Sequence, residues 1–317
     1  MTEYLDEGAQ FVLDISRAVK ARPLEDGTPV EARIAYSAGS PALQGAREAV
    51  ASVEDRQMTG PNGPITVRIY RGIGSLSKNG PGLLYLHGGG WVIGNLDSHD
   101  EICRWFANLA KCTVVCPDYR LAPEHKFPAG LMDCAAALEF MAEAAADLGI
   151  DPKRIAVVGD SAGGNLAAVL ALMARSGDAP PIAAQLLFYP NTDASQTADS
   201  YRRYAEGFGL TAATMKWFRD HYVRTPADVA DWRVSPLLAE TVAAVAPAFI
   251  ATAGHDILVD EGTAYARRLQ AGGVRVVARL WPDQIHGFVS MGRFISAARQ
   301  AVEEAVTVWR SFEGSPD

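Results

Sequence analysis

The sequence predicts an α/β chain built on a mostly parallel sheet with helices on both faces. Short apolar runs recur at 83–86, 113–116, 155–158, 184–188, 249–252 and 276–280. Alanine-rich helical stretches separate most of them, such as 131–148 and 165–174. Strands buried on both faces read as continuous apolar runs, and alternating helices cover the sheet and carry its right-handed crossovers. Of the 317 residues, 49% are hydrophobic, which is ample for a large core.

Ahead of this rhythm, Leu5, Ala9, Val12, Leu13, Ile15 and Val19 fall at helical spacing. Gln57-Met58 and Ile65 to Tyr70 flank TGPNGP, the pattern of a two-strand hairpin turned by Gly and Pro. It predicts an antiparallel edge before the parallel part. From 191 to about 238 the alternation stops and the chain turns polar and aromatic, with Tyr201, Tyr204, Phe208, Trp217, Phe218, Tyr222 and Trp232. Lying between two core strands, this stretch is expected to be an insertion that forms a lid with the N-terminal helix.

Composition excludes several function classes. The net charge is −8 with no Lys/Arg block, so no nucleic-acid partner is expected. The acidic N-terminus lacks a signal pattern, and the most apolar uncharged stretch, 241–254, is short of the ~20 residues that span a bilayer. A cytoplasmic protein with no membrane span is expected. Cys103, Cys112, Cys116 and Cys134 form no CxxC pair and have no histidine at zinc-finger spacing, so buried free thiols are expected, with no metal and no cofactor.

Gly159-Asp160-Ser161-Ala162-Gly163 fits G-x-S-x-G between a strand and a helix. In that setting the serine is held in a strained turn, and residues two positions away must be small. The lysine of a phosphate loop and the spacing of a dinucleotide loop are both missing. The strand at 83–86 runs into His87-Gly88-Gly89-Gly90-Trp91. Such a glycine run serves as an oxyanion hole, so the N–H groups of Gly88, Gly89 and Ala162 are the expected donors. His87 is expected to hold its loop.

With HGGGW at 87–91, DYRLAPEHKFPAG at 118–130, GDSAGG at 159–164, YP at 189–190 and HGF at 286–288, in that order, the chain resembles the hormone-sensitive-lipase-like esterases, a group of α/β-hydrolases. The resemblance implies the α/β-hydrolase fold, an eight-stranded, mostly parallel sheet with a helical cap. The cap of that group combines an N-terminal segment with an insertion after the sixth strand. Residues 1–50 and 191–238 match these pieces, leaving 51–190 and 239–317 as the catalytic domain.

In this fold the chain order is serine, acid, histidine. His221, His255 and His286 follow Ser161. His221 lies in the expected lid and His255 directly precedes the best acid, which leaves His286 as base, followed by Gly287-Phe288 as in the family. Asp256, Asp260, Glu261 and Asp283 are the candidate acids. Asp256 stands at the carboxyl end of a strand, where such sheets place their sites. The family has Asp-Pro-Leu here and this chain has Asp256-Ile257-Leu258, without the proline. Asp260 is expected to cap the next helix, Asp160 to support the serine turn, and Arg120 with Glu124 to form a charge pair.

The expected function is a serine carboxylesterase acting on short-to-medium acyl or aryl esters. Trp91, Tyr189, Phe208, Trp217 and Phe288 are the expected pocket residues. A small-molecule ester is the expected partner, and a homodimer is left open. Two alternatives stand: amide or carbamate hydrolysis on the same triad, and a receptor-like member that binds without cleaving, in which the family's catalytic histidine is replaced.

Overall fold

The computed structural model describes residues 4–20 and 22–314. Eight strands form one sheet: β1 (Ser52–Gly60), β2 (Gly63–Arg71), β3 (Gly80–Leu86), β4 (Thr113–Pro117), β5 (Ile150–Asp160), β6 (Ala184–Phe188), β7 (Ala248–His255) and β8 (Val276–Ile285). Their order across the sheet is β1-β2-β4-β3-β5-β6-β7-β8. β1 and β2 form a hairpin closed at Gly60 and Gly63, and β2 also runs antiparallel to β4. Every pair from β4 onward across the sheet is parallel. The antiparallel edge and the parallel body therefore stand as the sequence predicts.

The helices are α1 (Glu7–Ala18), α2 (Pro29–Gln44), α3 (Asp100–Ala110), α4 (Ala129–Glu143), α5 (Ala145–Leu148), α6 (Ala162–Ser176), α7 (Ser200–Arg203), α8 (Ala212–Tyr222), α9 (Val259–Ala271) and α10 (Ala297–Glu313). The single helix expected at 131–148 is split at Ala144, whose ψ of 14° leaves the helical range. α2 starts at a capping box in which Thr28 and Glu31 satisfy each other's backbone, with Pro29 in the first turn.

Successive strand residues point to opposite faces, so each apolar run feeds two layers. Leu84, Leu86, Val157 and Leu187 join α4, α6 and α9 on one side. Leu83, Tyr85, Val158 and Phe188 join α3 and α10 on the other. Full burial of one such side chain stabilises the fold by roughly 1.5–3 kcal/mol, so this double-sided sheet firmly supports the residues at the carboxyl ends of its strands. All four cysteines are buried and free. Among the described residues, no helix is long and apolar enough to cross a membrane.

The N-terminal segment and the 191–238 insertion touch each other. Arg17 donates to Gly207 O at 3.1 Å, and Thr214 Oγ1 donates to Glu25 Oε2 at 2.7 Å. The insertion is tied to the sheet layer at its two ends, because Asn165 Nδ2 donates to Asn191 O at 2.9 Å and to Val234 O at 2.8 Å. Asp260 is not a helix cap as expected. It lies inside α9 and accepts from Ser200 N at 2.9 Å and from Arg203 at 2.7 Å, which anchors the insertion instead.

Candidate active site

β5 ends at Asp160 and α6 begins at Ala162, so Ser161 is the turn between them. Its φ of 55° and ψ of −118° are strained for a side-chain-bearing residue, at a cost on the order of 1–3 kcal/mol. The surroundings hold it there. Ser161 N donates to Phe188 O at 2.9 Å, and its carbonyl accepts from Asn165 N at 3.0 Å. A Cβ on Gly163 would lie 1.9 Å from Leu86 O, and one on Gly159 would lie 2.3 Å from the Gly163 backbone. Only glycine fits at either position.

The structure brings the three widely spaced candidates together. His286 Nε2 is 2.9 Å from Ser161 Oγ, and His286 Nδ1 is 2.8 Å from Asp256 Oδ2. The buried carboxylate favours the proton on Nδ1, which leaves Nε2 to accept from the serine. Asp256 Oδ1 accepts from Leu258 N at 2.9 Å, so the turn closes without the family's proline. Ile257 packs into the core in that proline's place, 1% exposed.

The glycine loop after β3 is pinned peptide by peptide. The His87 carbonyl accepts from Tyr119 OH at 2.8 Å, and the N–H of the same peptide, on Gly88, donates to Asp160 Oδ1 at 3.0 Å. The expectation for Gly88 is thereby corrected: its N–H is already committed within the protein. Gly88 O lies 2.8 Å from His87 Nδ1. Gly89 O accepts from Val92 N at 3.1 Å and Ile93 N at 2.9 Å. C=O and N–H point in opposite directions in a trans peptide, so the N–H groups of Gly89 and Gly90 face away from these anchors. Neither donates to an acceptor among the described residues. Ala162 N is the first N–H of α6, which a helix leaves without an internal partner.

Beneath the loop lies a buried polar network. Asp160 accepts from Tyr85 OH at 2.8 Å and approaches His99 Nε2 at 3.3 Å, while His99 Nδ1 meets Ser98 Oγ at 2.8 Å. Burial opposes the Asp160 charge, but His99 and the hydrogen bonds from His99 and Tyr85 outweigh it and hold the carboxyl below its usual range. Burial, reinforced by His99, pushes His87 down to about 3, so its ring is neutral and Nδ1–H can donate to Gly88 O. The ring stacks on Tyr119 at 4.2 Å.

The expected pocket residues divide. The Tyr189 ring lies 4.7 Å from the His286 ring and 5.6 Å from Phe288. Tyr189 and Phe288 are 1% and 0% exposed, so they back His286 rather than offer surface to a ligand. Trp91 is likewise buried and stacks on Tyr222 of α8 at 4.2 Å. Phe208 is half-buried beside His255, 5.2 Å between rings, and Trp217 packs on Phe218 and His221. Phe218 was not expected at the site, yet its ring lies so close to Gly90 that a Cβ there would meet it at 2.2 Å. The buried stripe of α8, Thr214, Met215, Phe218 and Tyr222, is the sequence signal that would have found it. The expected Arg120–Glu124 pair does not form. Arg120 pairs with Asp133 at 2.7 Å and Glu124 with Arg33 at 2.6 Å, because α4 and α2 bring closer partners to the loop.

The family model for the alpha/beta hydrolase fold matches residues 83–290. The chain belongs to this family. This alpha/beta hydrolase is similar to carboxylic ester hydrolase LipN of Mycobacterium tuberculosis, 39% identical over 315 residues that cover 97% of this chain and 83% of LipN. It is 40% identical to ethyl acetate hydrolase of Pseudomonas putida over 289 residues, 90% of this chain and 91% of that one. Among solved structures, ester-hydrolase EH1AB1 from the metagenome of Lake Arreo, complexed with a derivative of bipyridine phosphonate, superposes with a TM-score of 0.94. That chain is 40% identical, and the match covers 98% of this chain and all of the other.

Proposed function

We propose that this alpha/beta hydrolase cleaves short-to-medium acyl or aryl esters through Ser161, His286 and Asp256. By kinship it is a carboxylic ester hydrolase, of the group that the sequence motifs resemble. The observation that carries the mechanism is the unbroken line from Asp256 through His286 to the Ser161 hydroxyl, 2.8 and 2.9 Å long, at a strained turn.

Ser161 Oγ attacks the ester carbonyl while His286 Nε2 takes its proton. The carbonyl oxygen becomes an oxyanion that accepts from Gly89, Gly90 and Ala162 N–H, groups fixed in advance of the reaction. The tetrahedral intermediate collapses, the C–O bond to the alcohol breaks, and His286 returns the proton to the leaving oxygen. Water, deprotonated by His286, then attacks the acyl-enzyme, and the acid leaves as Ser161 regains its proton. Asp256 keeps the imidazole in one tautomer and stabilises the imidazolium throughout. The described part of residues 1–50, together with residues 191–238, covers the site as a cap, an assignment supported by their mutual contacts and by Phe218 against Gly90.

A p-nitrophenyl ester series of increasing acyl length tests the reading. The wild type should hydrolyse the shorter members and Ser161→Ala none. If the wild type never exceeds the variant, the assignment is wrong.

A further inference from the structure

Arg33 stands on α2, far before the motifs in sequence, yet its guanidinium ends inside the loop that leaves β3. Nε donates to Val92 O at 2.7 Å. One Nη donates to Ala122 O at 2.7 Å and to Glu124 Oε2 at 2.6 Å, and the other to Glu124 Oε1 at 2.9 Å. These acceptors are linked. Ala122 N donates to Trp91 O at 2.8 Å, so Ala122 holds the Trp91–Val92 peptide and Arg33 holds the next one, Val92–Ile93. The N–H of the peptide that Arg33 holds is on Ile93, and it donates to Gly89 O at 2.9 Å, as Val92 N does at 3.1 Å; Gly89 O is the carbonyl of the peptide whose N–H belongs to Gly90.

The enclosed segment is strained. Trp91 has a φ of 60°, a conformation that persists only where neighbours over-determine it. Two further side chains on the same face of α2 meet the loop. Ser37 Oγ accepts from Asn95 Nδ2 at 2.9 Å, and Gln44 bonds Asp97 O at 3.0 Å and Glu101 N at 3.1 Å. Positions 33, 37 and 44 recur along one helical stripe, so α2 is fastened along its length to residues 92–101.

We infer that Arg33 is a positioning residue for ester hydrolysis, holding the Val92 carbonyl and through it the Gly89–Gly90 peptide that faces the oxyanion. The inference rests on the mechanism proposed above. A planar guanidinium can serve Val92, Ala122 and Glu124 at once because its donors lie in one rigid fork, whereas an ammonium is a single point. Glu124 orients the fork from the solvent side. The N-terminal segment is on this view part of the oxyanion hole's support as well as a cover.

Steady-state kinetics on p-nitrophenyl butyrate, with thermal melts of every variant, test this. Removing a donor outright costs about 10²–10³ in kcat, so loosening one in Arg33→Ala should cost about tenfold or more. KM should stay within about threefold, since Arg33 is placed to act on the transition state and not on substrate binding. Arg33→Lys keeps the charge and should keep the melting temperature while losing kcat. Added methylguanidine should restore part of kcat to Arg33→Ala and leave the wild type unchanged. Glu124→Gln, which retains both carbonyl contacts and one acceptor oxygen for the fork, should lose clearly less kcat than Arg33→Ala. Wild-type kcat in folded Arg33→Lys and Arg33→Ala, or a loss confined to KM, overturns the inference. So does a loss in Glu124→Gln as large as in Arg33→Ala. Wild-type hydrolysis that Ser161→Ala abolishes stands whatever Arg33 does; its absence would remove the mechanism itself.

Discussion

Gly88 gives its N–H to Asp160 Oδ1 at 3.0 Å, which ties the residue before Ser161 to the first glycine of the opposing loop. The most conspicuous charge beside Ser161 therefore acts on the protein, not on the substrate. Asp160→Ala would leave Gly88 N–H, Tyr85 OH and His99 without their buried acceptor. A loss of about 3–5 kcal/mol is expected, with kcat falling alongside. Asp160→Asn keeps an acceptor oxygen and should lose only about 1–3 kcal/mol. Denaturant unfolding of both variants checks the order, and equal stability of Asp160→Ala and wild type would contradict it.

Gly90→Ala should be nearly inactive. Its φ of 58° is unfavourable to any side chain, and a Cβ would sit 2.2 Å from the Phe218 ring. With the Gly90 N–H displaced, kcat should fall by about 10²-fold or more. Adding Phe218→Ala removes the clash and leaves the backbone strain, so the double variant should recover part of the loss. Recovery of none would show that strain alone matters.

Glu101 gives the fold a pH dependence of defined sign. Burial, aided by Glu48 and Asp100 and opposed by Arg299, raises its carboxyl from 4.5 to about 7. The folded protein thus holds a proton that the unfolded chain has released, and stability from this group is complete below pH 4.5 and lost as pH rises through 7. Glu101→Gln stays neutral at every pH. Its melting temperature should match wild type near pH 5 and exceed it at pH 8. A constant gap at the two values would refute the assignment.

His87 runs the other way. Its ring is held neutral down to about pH 3, whereas an unfolded histidine takes a proton near 6.5. Its contribution is present above 6.5 and lost as pH falls toward 3. His87→Asn should therefore flatten the acid limb of the stability profile, measured by denaturant midpoints from pH 7 to 4. An acid limb as steep as wild type would assign the loss to other groups.

Asn165 secures the neck of the insertion by donating to both Asn191 O and Val234 O. Asn165→Ala leaves two buried carbonyls unpaired, at about 1–3 kcal/mol each. The variant should melt lower, and its preference along an acyl-length series should broaden as the insertion loosens. An unchanged profile with a lowered melting temperature would confine Asn165 to stability.

The turn at Ser161 and the placing of His286 beside it were legible from short patterns and the chain order of the fold. Ser161 needs only its own strand, helix and two glycines, and His286 only the end of a strand and the chain order. Gly88 was misplaced because its orientation depends on Asp160, brought in from the neighbouring strand β5, and no spacing encodes which way a peptide faces. Arg120 and Glu124 looked like partners because they are neighbours in sequence. Their actual partners, Asp133 and Arg33, come from helices whose docking only the fold decides. Tyr189 and Phe288 were expected to line the pocket, and composition could not say that they stand buried behind His286.

The burial of Cys103, Cys112, Cys116 and Cys134 has a practical consequence. Burial raises the thiols of Cys103, Cys112 and Cys134, which keeps them protonated and poorly reactive at neutral pH. Two introduced cysteines, one at an exposed position of α1 and one of α8, would be the thiols open to maleimide chemistry. A fluorophore pair could then report the distance between α1 and α8 during turnover, in a chain whose native cysteines need no replacement.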